Sequence, residues 1–373
     1  MGAELQYMAD AVARMHISGD GYYTNECNRL LETLTGGHKA FLTTSCTHAI
    51  EMAALLLEAG PCDEIIMPSF TFVSAANAFV LRGARPVFVD IRPDTLNVDE
   101  RLLEAAITPR TRAIVVVHYA GVACEMDAIM EIAGRHGIAV VEDNAHGLFG
   151  AYDGRPLGSF GDFATQSFHE TKNVVCGEGG ALIVNDPAYV ERAEIVREKG
   201  THRSRVFRGL MDRYTWIAPG SSYLPSDLLA AFLYAQLQAA DEIQRRRRAI
   251  WERYHVELAP WAARYGGSQP TVPRNCGQAY HLYYLLLPTA RDRDGLIGFL
   301  NERGITAVFH YIPLHGSEYG RKLGYRAGEF PVSESCSERL VRLPFFNDMT
   351  PGEQTRVIEA VSAFRPSRRP VSA

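Results

Sequence analysis

A chain of 373 residues is long enough for two units flanking a large core, and 47% hydrophobic with 22% charged residues is the balance of a globular enzyme rather than a disordered or fibrous protein. A formal net charge of −5 argues against a generalised electrostatic grip on nucleic acid or an anionic membrane. Seven cysteines, an odd number with no C-x-x-C pair, read as free thiols of a reducing cytoplasm.

The opening residues, MGAELQYMADAVARMHISGD, lack the apolar core of a signal peptide and pattern as an amphipathic helix. No run has the length needed to cross a bilayer. From about residue 40 to 200, short β-rich runs alternate with helical ones. Strands are expected at 64–67, 86–89, 113–118, 138–142, 163–168 and 181–184, with helices at 49–58, 73–81, 99–105, 126–135 and 188–199. This alternation predicts an α/β fold with a mostly parallel sheet and helices on both faces. Ligands of such sheets sit beyond the carboxyl ends of the strands. Residues 226–258 follow as one or two long helices, then a strand at 281–287, a helix at 292–303, a strand at 306–311 and a last helix at 350–364. The expected organisation is a large α/β unit over 1–240, a small α+β unit over 241–365 and a disordered basic tail over 366–373. The four consecutive arginines 245–248 point around a helix in different directions and read as a solvated or salt-bridged face.

Five segments fall where strand ends converge. Ser45-Cys46-Thr47-His48 opens a helix, whose free N–H groups suit a phosphate, although alone it reads as an N-cap. Phe72, in Pro68-Ser69-Phe70-Thr71-Phe72, can stack on a flat ring or serve the core. In Val140-Val141-Glu142-Asp143-Asn144-Ala145-His146 an apolar strand ends in two acids. Asp143 can hold a pyridinium N–H and His146 a phenolic oxygen; a lone His–Asp pair makes a weak metal site. Ser167-Phe168-His169-Glu170-Thr171-Lys172 precedes Gly177-Glu178-Gly179-Gly180. A lysine buried between strand and glycine turn has a lowered pKa and suits a Schiff base, and the glycines form no dinucleotide-binding fingerprint. Finally, Phe309-His310-Tyr311-Ile312-Pro313-Leu314-His315 offers His310, Tyr311 and His315 to a substrate's hydroxyls and phosphates, or to structure.

The motifs T-S-C-T-H-A, P-S-F-T-F, V-E-D-N-A-H and S-F-H-E-T-K-N, in this order and spacing, resemble the DegT/DnrJ/EryC1/StrS family of sugar aminotransferases over nearly the whole chain. The stretches FVLRGARPVFVDIRPDTLN, VHYAGVACEMD and VFHYIPLHG are most similar to its members that aminate TDP-4-keto-6-deoxyglucose at C4. The resemblance implies fold type I of pyridoxal 5'-phosphate (PLP) enzymes and a homodimer with active sites at the subunit interface. It also implies L-glutamate as amino donor and a TDP-keto-sugar as acceptor. By position, Lys172 resembles the Schiff-base lysine, Asp143 the ring-nitrogen partner, His146 the contact on the phenolic side and Phe72 the ring cover. Cys46, Thr47, His48 and Ser167 fall at the cofactor's phosphate end, and Ser222 at the position that reaches the neighbouring subunit's phosphate. Many members have Gly at Cys46 and Asn at Ser222, so the Cys46 side chain must turn away and Ser222 reaches less far. Related sugar 3-dehydratases carry His in place of the lysine, so Lys172 favours transamination over dehydration. A 3-keto-sugar aminotransferase, or a sugar-nucleotide-binding protein without catalysis, is the alternative; the latter is expected to lose Lys172 or Asp143.

Overall fold

The computed structural model describes residues 2–366. Seven strands form one sheet: β1 (Lys39–Thr43), β2 (Glu64–Pro68), β3 (Arg85–Val89), β4 (Thr111–Val117), β5 (Ala139–Asp143), β6 (Phe163–Ser167) and β7 (Gly180–Val184). Their order is β1-β7-β6-β5-β4-β2-β3. Only β7 runs antiparallel to its neighbours. All six expected strands are present. The apolar stretch 40–42 supplies the seventh, β1.

Side-chain alternation sorts the strands into two cores, as a sheet covered on both faces requires. Phe41, Ile65, Met67, Val115, Val141, Phe163 and Leu182 face α3 (Cys46–Leu56) and α4 (Val73–Val80). On the other face, Ile66, Ile114, Val116 and Val140 pack with residues of Met126–His136, while Ala40, Leu42, Ala164, Ala181 and Ile183 pack with three further helices. Two of these lie at the start of the chain, α1 (Glu4–Ala13) and α2 (Tyr22–Thr35); the third lies far along it, Asp227–Gln238. The carboxylate of Asp227 accepts from the amides of Tyr23 and Thr24 at 3.2 and 2.8 Å and from Thr24 Oγ1 at 2.7 Å, closing the N-terminus of α2. Gly21 is needed at that turn, because a Cβ there would meet the Asp227 carboxyl at 2.4 Å.

The 26-residue helix Ala240–Tyr265 follows. From Ile250 onward its inner face joins a separate cluster with Tyr283, Leu285, Leu296, Leu300, Val341 and Val357. The arginine run lies in its first half. Arg245, Arg246 and Arg248 are ion-paired to Glu242 or Glu252, but Arg247 is buried. Three expectations are corrected. Residues 99–105 form a 3₁₀ turn and one helical turn, Leu103–Ala106. The strand expected at 306–311 reduces to one bridge between Val308 and Arg342, because the chain bends there to carry His310 and Tyr311 inward. Its place in the small sheet is taken by β9 (Leu340–Arg342), paired antiparallel with β8 (Tyr284–Leu286). Of the tail expected at 366–373, Pro366 is ordered and buried, and the rest lie outside the described residues. No described helix is long and apolar enough to cross a membrane.

Candidate active site

A cavity of about 580 Å³ opens at the carboxyl ends of β4, β5 and β6. One wall is the first turn of α3. Ser45 caps it, its Oγ accepting from the His48 amide at 3.1 Å, while the leading amides of a helix, here Cys46 and Thr47, have no intrahelical partner. The turn lies against the sheet because β7 begins with Gly180: a Cβ there would come within 2.3 Å of the Cys46 amide nitrogen. Thr47 Oγ1 is 2.8 Å from Ser74 Oγ at the start of α4, and Ser167 ends β6 beside them. The Cys46 side chain turns toward the sheet, with Sγ 3.5 Å from Thr165 Oγ1, and burial pushes its thiol up to about 12.

The two acids ending β5 point to opposite faces, as neighbours on a strand must. Glu142 is fully buried and accepts from the amides of Gly158, Phe160 and Gly161 and from His118. It is a structural carboxylate. Asp143 lines the cavity, with Oδ1 accepting from the Ala145 amide at 3.2 Å; burial raises its pKa, while that hydrogen bond and the Lys172 charge oppose the rise. Lys172 stands on a loop pinned at several points. Phe168 pairs with Gly179 and Cys176, and Asn173 is tied to Ala279 and Asn347. Burial lowers the Lys172 amine to about 8, against the raising influence of Cys46 and Asp143.

The remaining wall is aromatic. The His146 ring stacks on His281 at 4.1 Å, with His310 6.0 Å away on a near-parallel plane. Burial keeps His146 and His281 far below the ordinary imidazole value and holds His310 down to about 2, so all three are neutral. His281 Nδ1 donates to Asn173 Oδ1 at 2.8 Å, and the Tyr311 hydroxyl is 3.4 Å from His146 Nε2. The buried Nδ1 of His146 has no partner.

Nine of the residues singled out in the sequence line this cavity: Cys46, Thr47, Phe72, Asp143, His146, Ser167, Lys172, His310 and Tyr311. Three do not. The His48 ring bonds to Thr44 and lies against Tyr223. His315 is fully buried with both nitrogens engaged, Nδ1 to Ser69 Oγ at 2.6 Å and Nε2 to Glu334 at 2.8 Å, so the structure removes it from the substrate-facing set. Ser222 is exposed and lines a second cavity with Lys39 and Arg197. His281 and Arg342 also line the main cavity and were not foreseen. Arg342 ends the short strand β9 and His281 lies three residues ahead of β8, where nothing local sets either apart.

A flat, anionic, pyridine-based cofactor fits these walls. The helix turn offers amides to a phosphate, Asp143 a carboxylate to a ring N–H, His146 an unpartnered nitrogen to a phenolic oxygen, and Lys172 a low-pKa amine to an aldehyde. Solved proteins share this architecture. The aminotransferase TlmJ from Streptoalloteichus hindustanus is 33% identical, with 97% of this chain and 96% of that one covered and a TM-score of 0.88. DesV of S. venezuelae is 30% identical over 96% and 93% of the two chains, with a TM-score of 0.88. Spr1654 from Streptococcus pneumoniae, solved in PMP and PLP forms, is 27% identical; for the PMP form 97% and 96% are covered, at a TM-score of 0.90. The class is thus that of PLP-dependent aminotransferases of fold type I. Within it, the chain belongs to the DegT/DnrJ/EryC1/StrS aminotransferase family, whose model matches residues 1–362.

Proposed function

We propose that the protein transfers the amino group of L-glutamate to C4 of TDP-4-keto-6-deoxy-D-glucose, giving a TDP-4-amino-4,6-dideoxyhexose. The observation that carries this reading is the low-pKa amine of Lys172 in a cavity with one cofactor-ready carboxylate and three neutral imidazoles. The choice of acceptor rests on the likeness of its motifs to C4-aminating enzymes. When bound, PLP supplies the electron sink that makes a proton beside the amine removable. Lys172 Nζ, neutral above about pH 8, takes the proton from the donor's α-carbon in one half-reaction and delivers one to the sugar's C4 in the other. Asp143 holds the ring N–H, His146 faces the phenolic oxygen and Phe72 covers a ring face. The amides of Cys46 and Thr47, with the hydroxyls of Thr47 and Ser167, hold the phosphate. His310 and Tyr311 line the space left for the sugar.

The same reading divides the chain into a cofactor-binding unit, 1–240, and a smaller one, 241–365. It makes the active form a cytoplasmic homodimer, with Ser222 beside the partner's phosphate. Leu210, Tyr214, Trp216 and Ile217, exposed just ahead of Ser222, supply an apolar surface for that contact, and all seven cysteines are free thiols. The deciding experiment incubates the enzyme with TDP-4-keto-6-deoxyglucose and L-glutamate and determines the product by NMR. A 4-amino-4,6-dideoxyhexose is expected, and its H3–H4 coupling assigns the gluco or galacto configuration. Unchanged keto-sugar, with an enzyme that glutamate bleaches, overturns the acceptor.

A further inference from the structure

A polar side chain buried without a partner costs more than its hydrogen bond contributes, so buried groups that are paired hold each other firmly in place. Ser69, His315 and Glu334 form a chain of such bonds outside the cavity. The Ser69 hydroxyl accepts from the His315 amide at 3.2 Å and donates to Nδ1 at 2.6 Å, and Nε2 donates to Glu334 at 2.8 Å. The order resembles a nucleophilic triad, but Ser69 and His315 are fully buried and neither lines the cavity, so no substrate reaches that hydroxyl. What the chain joins is two segments that do line it. Ser69 follows β2, its amide bonded to Val89 and its carbonyl accepting from Leu314, and Thr71 and Phe72 continue from it into the cavity wall. Glu334 stands in the helix Pro331–Arg339. The first turn of that helix is held by Asp90, just after β3, whose carboxylate accepts from the amides of Val332 and Ser333 at 2.9 and 2.8 Å. One helical turn beyond Glu334, Ser337 Oγ donates to the Tyr311 carbonyl.

The segment so enclosed carries His310 and Tyr311. From Phe309 to Ile312 its backbone has one hydrogen bond among the described residues, the one from Ser337. Its ends are fixed by the bridge between Val308 and Arg342 and by Leu314 and His315 on Ser69. The Tyr311 ring lies 5.6 Å from Phe70 and 6.3 Å from Phe72, centroid to centroid, against the stretch that begins at Ser69. We propose that His315 is a positioning residue for the sugar half-reaction: through Ser69 and Glu334 it sets His310 and Tyr311 opposite Phe72. This rests on the reading that His310 and Tyr311 line the sugar's space. Among the described residues no member of the chain bonds to Lys172, Asp143 or the first turn of α3, so the proton transfer, the ring nitrogen and the phosphate are held independently of it.

The test compares wild-type holoenzyme with Glu334→Ala, which removes the last acceptor of the chain, and Glu334→Gln, which keeps an oxygen for the Nε2 hydrogen. Enzyme loaded with pyridoxamine phosphate is reacted with TDP-4-keto-6-deoxyglucose, and enzyme loaded with PLP is reacted with glutamate, each followed by the cofactor's absorbance. In Glu334→Ala the half-saturating sugar concentration should rise, or the rate fall, by about 10- to 100-fold, the scale set by moving a lining group about 1 Å. The glutamate half-reaction should stay within about threefold of wild type, and Glu334→Gln should recover most of the loss. Should Glu334→Ala not fold, Ser69→Ala, which leaves His315 paired to Glu334, carries the same expectation. An unchanged sugar reaction, equal losses in both half-reactions, or a Gln variant as impaired as Ala would overturn the proposal. If wild type does not accept this sugar, the acceptor reading fails, and the crystal structure of Glu334→Ala decides. A displaced Tyr311 ring supports the positioning role, and a ring still 6.3 Å from Phe72 overturns it.

Discussion

Burial acts on Lys172 and Asp143 in opposite directions, lowering the amine and raising the carboxylate, because each charged form loses water. For the amine the sign is direct: below about pH 8 it is mostly protonated and above that mostly neutral. Only the neutral form attacks an aldehyde. The rate at which apo-enzyme takes up PLP should therefore rise about tenfold per pH unit below 8 and level off above it. An ordinary lysine would keep rising toward 10.5, so stopped-flow absorbance between pH 6 and 10 separates the two. Lys172→Ala should bind PLP yet show no transamination, as measured by 2-oxoglutarate release. Asp143→Asn keeps the shape and loses the charge at the ring nitrogen, with an expected loss in kcat of about 10²-fold or more. Wild-type turnover in that variant would assign the ring nitrogen to another residue. Asp143 is legible in the sequence because it ends an apolar strand, whereas Lys172 is legible only through its neighbours, a strand before it and the glycine turn 177–180 after it, and through the motif they form. His315 misleads for the opposite reason. It occupies the same motif as His310 and Tyr311, but the 3₁₀ turn Leu314–Gly316 directs it into the protein, and no spacing rule distinguishes that turn from a continued strand.

Elements show the same division between what is local and what is not. The sheet strands announce themselves through β-branched apolar runs buried on both faces. The single bridge at Val308 does not, since its alternation is that of a strand while Arg342 across from it supplies only one paired residue. Arg247 illustrates the same limit inside a helix: among four identical side chains, the inward one is chosen by the carbonyls of Tyr280 and His281, more than thirty residues away. The cap on α2 is equally non-local. Asp227 is 1% exposed, so removing its carboxylate leaves the buried Tyr23 and Thr24 groups without acceptors. Asp227→Ala should cost about 2–4 kcal/mol, read as a lower denaturant midpoint with little change in slope. A variant as stable as wild type would mean that water replaces the carboxylate at this helix end.

At the scale of the whole molecule, several large apolar side chains stand exposed, and the proposed dimer would cover some of them. Leu5, Met15, Leu81, Leu210 and Trp216 are 78%, 91%, 72%, 68% and 77% exposed. Sedimentation at low micromolar concentration should give one species near twice the 41.3 kDa chain mass, with a total buried area above about 2,000 Å² when the dimer is solved. A fully active monomer would remove both the shared site and the place given to Ser222. The sequence carries the fold class in its β-α alternation, but nothing in one chain's pattern says where two copies meet.

The carboxylate of Asp227 also has a meaning for how the protein is made. Thr24 and Asp227 are 203 residues apart, so α2 leaves the ribosome long before the group that closes its end exists. At about 5–20 residues per second that interval is about 10–40 s of synthesis. Through it, the faces of α1 and α2 that carry Ala11, Tyr23, Cys27 and Leu31 lack the helix they pack against. Nascent chains halted shortly before Asp227 should be cut by protease within α2, and chains halted well beyond Gln238 should resist. The second helix thus matures only after residue 227 has emerged, and until then its apolar face lacks its cover.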